Sequence, residues 1–495
     1  MQWLATTALW GMVPVVLVLF LFLPPRRAVL VSMIGAWLFL PQLAISMQLV
    51  PDYTKMTATC YGIILGALLL DPESRVLKFK PLWIDLPILV WCVCPFFTSI
   101  SNDLGAYDGA SAVVGRMIKD GLPYLIGRLY FRTLEDVKDF ALGIVLGGIV
   151  YVPFCLYEIR MSPHLHEMLY GFRPFSDWAQ AKRWGGFRPT VFMKHGLAVG
   201  VWMTTTAAMA FWLWRTRSMK QVLGVPMLVI VPVMVLTAVL CKAAGAIILF
   251  SGIMAAMLAV RFFGTKKLMM GLVILVPVFL GLRATQVFTG TDLAVWIEGN
   301  VPLMEQRAKS LRFRMDHENA IVQRAYERPL LGWGGWSRAF DTYLEEYRSF
   351  AVPDSLWVRT FGQNGVVGLT ALYSLYLVPL WLLLRKLKAK EWSGPDVAPL
   401  TGLGMICLIF AMDGLFNNME NPVFVVAIGA VSTMAAMVQR VPKAQPARPD
   451  TPRGPAGDTD EHDGPLGDLG LAGGGEPLIL VDPPMADGRG SGGLS

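Results

Sequence analysis

The chain has 495 residues, 54% of them hydrophobic and 16% charged, with a formal charge of +7 at pH 7. A soluble protein of this length carries about a quarter of its residues as charges. Here apolar runs, long enough to cross about 30 Å of hydrocarbon, recur to around residue 437. A soluble enzyme, a coiled coil and a secreted disulfide scaffold are excluded.

The first run has no charge over Met1 to Val13 and ends in Pro24-Pro25-Arg26-Arg27, so it reads as a retained span, not a cleaved signal. Further spans are expected at 28–48, 55–70, 83–100, 110–130, 138–158, 189–213, 222–241, 243–262, 268–285, 354–384, 399–416 and 421–438. The fold class is therefore an all-α polytopic membrane protein of about thirteen spans (12–14). All six cysteines fall inside apolar runs, where Cys behaves as a small hydrophobe, and no disulfide framework or metal-ligand spacing is present.

The connections sort by charge. One alternating set holds Arg26-Arg27, Arg75/Lys78/Lys80, Arg132/Lys138, Arg215/Arg217/Lys220, Arg261/Lys266/Lys267, Arg385 to Lys390 and Arg440/Lys443. The other holds Asp52 and Lys55, Asp103 and Asp108, residues 159–188, residues 286–353, and Asn417-Asn418-Met419-Glu420. Short basic loops stay in the cytoplasm, which puts the second set and the N-terminus outside. This gives an N-terminal bundle (1–158), an outside loop (159–188), central helices (189–285), a large, partly helical outside loop (286–353) and C-terminal helices (354–440). The tail, 441–495, holds nine acidic and four basic residues, is rich in Pro and Gly, and is expected to be disordered and cytoplasmic.

Charges at membrane depth or at its outer margin are candidates for function. In the fifth run, Asp120 and Arg128, with Arg116 and Lys119, read as structural Asp–Arg pairing between neighbouring turns. His164-Leu165-His166 supplies two ligands at most and reads as surface. Trp184-Gly185-Gly186-Phe187-Arg188-Pro189 leads into the seventh span, with Lys194 and His195 about two turns inside it. Arg307, Lys309, Arg312 and Arg314 precede an expected helix at Glu318 to Glu327. On the outside such a cluster suits an anionic ligand, since Arg matches phosphate oxygens bidentately. Arg328-Pro329-Leu330-Leu331-Gly332-Trp333-Gly334-Gly335 reads as a glycine-rich turn. Asp354-Ser355 then precedes Gly365-Val366-Val367-Gly368 by nine residues; Asp354 suits a helix cap and a catalytic carboxylate about equally.

Taken in order, these pieces resemble the O-antigen ligase and polymerase superfamily of bacterial envelope glycosyltransferases. The resemblance rests on Arg188-Pro189 with Gly196-Leu197-Ala198, on Arg312 and Arg314 ahead of Pro329-Leu330-Leu331-Gly332-Trp333-Gly334, and on Asp354-Ser355, nine residues, Gly365-Val366-Val367-Gly368. It is best over about 185–385. At the first position of the last motif the family has His where this chain has Asp354.

The resemblance implies glycosyl transfer at the periplasmic face of the bacterial inner membrane, with an undecaprenyl-diphosphate-linked oligosaccharide as donor and no metal or other cofactor. Arg188, Arg312 and Arg314 would hold the diphosphate, and Asp354 would serve as base. Lys194, His195, Ser355, Arg359, Gly365 and Gly368 are further candidates. The acceptor would be a glycan or a lipid, and other partners would be membrane lipids and a chain-length regulator or flippase of the same pathway; no nucleic-acid partner is expected. The departure at Asp354 favours a polysaccharide repeat-unit polymerase over a ligase. A transporter of an anion or lipid-linked sugar is the alternative of another class.

Overall fold

The structure is a computed structural model that describes residues 2–47, 51–174, 181–183, 185–300, 305–335, 337–440 and 478–480. Its contacts divide the chain into two units, Met1–Ala436 and Met437–Ser495. Every one of the thirteen apolar runs contains a helix.

The N-terminal part holds α1 (Gln2–Phe22), α2 (Pro25–Phe39) and α3 (Lys55–Leu69). Helix α2 opens on Pro25, where the missing N–H would have had no partner in any case. Helix α3 is capped by Thr54, whose hydroxyl accepts from the Thr57 amide. Next come α4 (Leu86–Ser101) and a three-piece run of α5 (Gly105–Arg116), a π-helical turn (Met117–Gly121) and α6 (Leu122–Tyr130). A capping box of Thr133 and Asp136 starts α7 (Leu134–Met161), and the short α8 (Leu165–Tyr170) follows.

The central part is α9 (Gly196–Arg215), α10 (Met227–Leu240), α11 (Ala244–Phe263) and α12 (Lys267–Ala284). Residues 286–353 carry α13 (Thr291–Asn300) and α14 (Glu305–Ala325). The last helices of this unit are α15 (Leu356–Lys386), α16 (Ala389–Trp392), α17 (Ala398–Asp413) and α18 (Pro422–Met437). Among the described residues, α1, α4 with its leading turn, α7, α9, α11, α12 and α15 are long and apolar enough to cross a membrane, while α3, α10, α17 and α18 are shorter apolar helices.

Burial differs sharply between these helices. The most apolar window of α9 is 89% buried, against 28% in α1 and in α12. Phe22, Leu69, Leu228 and Phe263 stand exposed on the periphery. A surface of large apolar side chains around a helical core fits hydrocarbon, where every backbone group must be satisfied within its own helix. Small residues allow the tightest crossing: a Cβ added at Gly127 of α6 would lie 2.1 Å from the Val426 carbonyl oxygen, and one at Gly429 of α18 2.2 Å from that of Tyr124.

Connections of each expected set touch one another. At one end Arg26 pairs with Asp136, the Arg75 guanidinium lies over Tyr130, and Lys266 reaches the carbonyls of Leu384 and Leu387. At the other, Lys119 pairs with Glu420 at 2.5 Å, the Gln42 amide donates to His166, Arg328 donates to the Ser101 carbonyl, and Arg314 to that of Phe416.

Several expectations change. The expected Asp–Arg pairing between neighbouring turns forms as Arg116–Asp120 at 3.5 Å, whereas Arg128, two turns further on, pairs bidentately with Asp85 (2.7 and 2.9 Å). His166 is 2% exposed rather than on the surface: its Nε2 accepts from Gln42, and Nδ1 lies 2.8 Å from the Phe172 carbonyl oxygen. Helix α14 begins at Glu305, so the basic cluster lies on it and not ahead of it. Most of the tail, together with Trp184 and Trp336 of the motifs, lies outside the described residues. Within the second unit Leu478–Leu480 pairs antiparallel with Val438–Arg440, so three residues of a tail expected to lack structure form a strand.

Candidate functional site

Two glycine motifs far apart in the sequence form one device. Helix α15 breaks at Gly365, whose φ of 61° and ψ of −162° are open only to glycine. The break removes the bonds that Val366 and Val367 would give to Gly362 and Gln363. The segment 329–334 replaces them: Val366 donates to the Pro329 carbonyl (2.8 Å) and Val367 to that of Leu330 (3.2 Å), while Gly362 and Gln363 accept from Trp333 and Gly334 (2.9 Å each). A Cβ on Gly332 would lie 2.5 Å from the Gln363 carbonyl carbon, and one on Gly365 2.3 Å from that of Leu330. Thr98 and Asn102 of α4 bind the Leu331 and Gly332 carbonyls from the other side. Gly368 serves packing, since its Cβ would strike the Asn364 side chain.

The segment before α9 is arranged by a buried carboxylate. Glu158, wholly buried, accepts from the backbone amides of Leu165 (2.9 Å), Thr190 (2.8 Å) and Val191 (2.7 Å). Val191 takes a φ of 48°, and the chain turns instead of continuing helically. Lys194 and His195 therefore precede α9 and do not lie inside it: His195 is its N-cap, with Nδ1 accepting from the Leu197 amide at 3.0 Å. Arg188 is 7% exposed, donates to the Lys242 carbonyl at 3.1 Å, and packs its stem where a Cβ on Gly196 would fall.

This segment lines a cavity of ≈ 590 Å³ together with Lys55, Arg359, Asn418 and Glu420. A second chamber of ≈ 220 Å³ shares Arg359 and Asn418 and adds Arg116, Lys119, Thr360 and Gln363. A narrow space of ≈ 60 Å³, bounded by Trp91, Asp120 and Glu420 among others, lies against both. Six cations (Lys55, Arg116, Lys119, Arg188, Lys194 and Arg359) thus line one crevice against two carboxylates, Asp120 and Glu420.

The charges are held differently. Arg116 stacks on Trp91 at 4.0 Å, and Asp120 accepts from both Arg116 and the Trp91 indole (2.9 Å). Lys55 donates to the Trp37 carbonyl at 3.0 Å. Among the described residues neither Lys194 nor Arg359 makes a salt bridge, and both act on Glu420 from longer range. Burial would lift the Glu420 carboxyl, but Lys119, Arg359 and Lys194 outweigh it and hold the group below its ordinary value. The larger cavity, with Lys55, Arg188, Lys194 and Arg359, can hold a dianion or a diphosphate, because guanidinium and ammonium donors match phosphate oxygens.

Of the residues singled out in the sequence, the structure brings Arg188, Lys194, His195 and Arg359, with Arg116, Lys119 and Asp120 of the fifth run, to the crevice. It does not bring Arg312, Arg314 or Asp354. Arg314 pairs with Asp354 at 3.2 Å, and Arg312 with Glu346 at 3.1 Å and Asp316 at 3.7 Å. Asp354 is not the cap of α15, whose N-cap is Ser355. Beneath them the wholly buried Arg283 of α12 pairs with Glu318 of α14 at 2.8 Å and donates to Asn319 at 2.9 Å, which anchors the loop helix. Burial pushes the Glu318 carboxyl up against the pull of Ser355 and Arg283, and pushes His317 down.

Sequence reasoning missed Lys55, Arg116, Lys119 and Glu420 as members of one site. Each is a charge at the margin of an apolar run, which is a signal, but nothing in the sequence shows that they converge. Glu158, a lone carboxylate at the end of a span, was legible by the same rule. No protein-family model matches this chain, and no curated protein matches it.

Proposed function

We propose that the protein is a membrane-embedded glycosyltransferase of the bacterial inner membrane. It would take a glycan from undecaprenyl diphosphate and join it to an acceptor hydroxyl at the periplasmic face. The observation that carries this reading is the ≈ 590 Å³ cavity where Lys55, Arg188, Lys194 and Arg359 meet one carboxylate, Glu420. Its charged lining comes from the connections that the positive-inside rule puts outside and from the first turns of the adjoining helices, which supports thirteen spans and a periplasmic site. Basic residues of the opposite set gather around a separate cavity with Arg26, Arg75, Lys78 and Arg132.

In this reading the acceptor oxygen attacks the anomeric carbon and forms the new C–O bond. The bond from that carbon to the diphosphate oxygen breaks, and undecaprenyl diphosphate leaves with the electron pair. Arg188, Lys194 and Arg359 stabilise the charge that develops on the leaving group, the kind of preorganised contact worth ~10²–10³ in rate per donor. Glu420 orients the acceptor hydroxyl and takes its proton. Asp354 stands where the resembled family has its His, but it lines none of the three spaces of the crevice and pairs with Arg314 on the loop helix. A repeat-unit polymerase is favoured, and a ligase shares the donor and the bond changes.

The test uses the full chain in lipid nanodiscs with an undecaprenyl-diphosphate oligosaccharide, with products resolved on a gel. Wild type should lengthen the glycan, and Arg188→Ala and Arg359→Ala should not. Full-length product from both variants would sink the proposal.

A further inference from the structure

One diphosphate needs one group of cations, and the crevice has two. The ≈ 220 Å³ chamber adds Arg116 and Lys119 to the shared Arg359 and is otherwise polar, with Thr360, Gln363 and Asn418. Neither Arg116 nor Lys119 lines the larger cavity. The partition between the two spaces is Asn418 and the Lys119–Glu420 ion pair. Arg116 is fixed in place: its guanidinium lies over the Trp91 ring at 4.0 Å, and Asp120 holds both. The segment that carries Lys119 and Asp120 is the π-helical turn, a distortion that widens one helical turn and recurs at functional sites. A space of this size suits one sugar ring more than a lipid-linked diphosphate, and amide and hydroxyl groups beside two cations suit a ring that bears both hydroxyls and an acid.

We propose that this chamber is a subsite for an anionic sugar, of the uronate class, within the glycan that the enzyme handles. Arg116 and Lys119 face the carboxylate, while Gln363, Asn418 and Thr360 bind ring hydroxyls. The site would select acid-bearing glycans and seat that sugar next to the diphosphate cavity, with Glu420 between the two. The inference rests on reading the larger cavity as the diphosphate site.

The experiment measures binding to the full chain in neutral-lipid nanodiscs with three probes: a glucuronate-terminated disaccharide, its glucose counterpart, and geranyl diphosphate. Wild type should bind the glucuronate probe at least tenfold more tightly than the glucose one. Lys119→Gln and Arg116→Gln should each erase that preference and leave geranyl diphosphate affinity within about twofold. Two variants are used because Arg116 also holds Asp120, and a folded protein is verified by its retained geranyl diphosphate binding. Equal affinity for both disaccharides, with geranyl diphosphate still bound, would overturn the acid-sugar assignment alone. Loss of geranyl diphosphate binding in Lys119→Gln would make the chamber part of the diphosphate site and overturn it too. If wild type fails to bind geranyl diphosphate, the function itself fails, and this inference with it.

Discussion

Two groups of cations, one clustered on the loop helix and one gathered from distant parts of the chain, meet different surroundings in the structure. The loop-helix cations, Arg312 and Arg314, lie half-exposed, and each has a carboxylate within reach. The crevice cations come from four separate segments, and Lys194 and Arg359 face a cavity with only a distant share of Glu420. On the loop helix the two arginines are outnumbered by Asp316, Glu346 and Asp354, and a surface pair contributes about 0–1 kcal/mol. A cation turned into a cavity with too few acids holds its field for a ligand. What separates the two is the company each charge keeps, not its position in the chain.

The comparison can be broken first at the crevice. Arg359→Ala should lower transfer by ~10²–10³, the scale of one lost donor to a developing anion, measured as initial rate in nanodiscs. Glu420→Gln should cost ~10²-fold or more as the loss of a general base, whereas Asp354→Asn should stay within about threefold of wild type. The reverse ranking would return the base to the loop. The same carboxylate makes a pH prediction. Its folded value lies below the ordinary 4.5, so it stays ionised as the pH falls, and transfer should hold steady from neutral pH down to about 5. A rate halved by pH 6 would point to another group.

Stability sharpens the contrast. Glu318→Ala leaves the buried Arg283 without its counter-ion, which should destabilise the loop helix by about 3–5 kcal/mol and lower the apparent Tm. Arg312→Ala, which removes only exposed pairs, should leave both Tm and transfer almost unchanged. A large loss of transfer in Arg312→Ala would restore the clamp to the loop helix.

Much of this was legible in the sequence, and the rest was hidden for definite reasons. Each apolar run marked helical structure because such runs have few alternatives, and among the described residues seven of the helices are long and apolar enough to cross a membrane. The start of α9 was misplaced because Val191, Phe192 and Met193 are apolar yet held out of the helix by Glu158, a long-range contact. The start of α14 was missed because a polar helix has no apolar stripe to announce it. Pro329 to Gly334 and Gly365 to Gly368 were each seen as glycine motifs, but their pairing depends on which carbonyls a broken helix leaves open. The crevice was half visible: Arg188, Lys194 and His195 stood out, while Arg116, Lys119 and Glu420 joined them only through the way α5, α15 and α18 pack.

The break at Gly365 also sets an order of assembly. Residues 329–334 leave the ribosome before residues 362–367, so the strip that completes α15 exists before the helix that needs it. Without the strip, the broken conformation would leave two carbonyls and two amides unpartnered, at several kcal/mol each in hydrocarbon. Gly365 is free to take helical angles until then, so helix α15 acquires its break only as the strip docks. It matures as a composite with the preceding loop, and a chain cut between the two should insert the helix and fail to finish it.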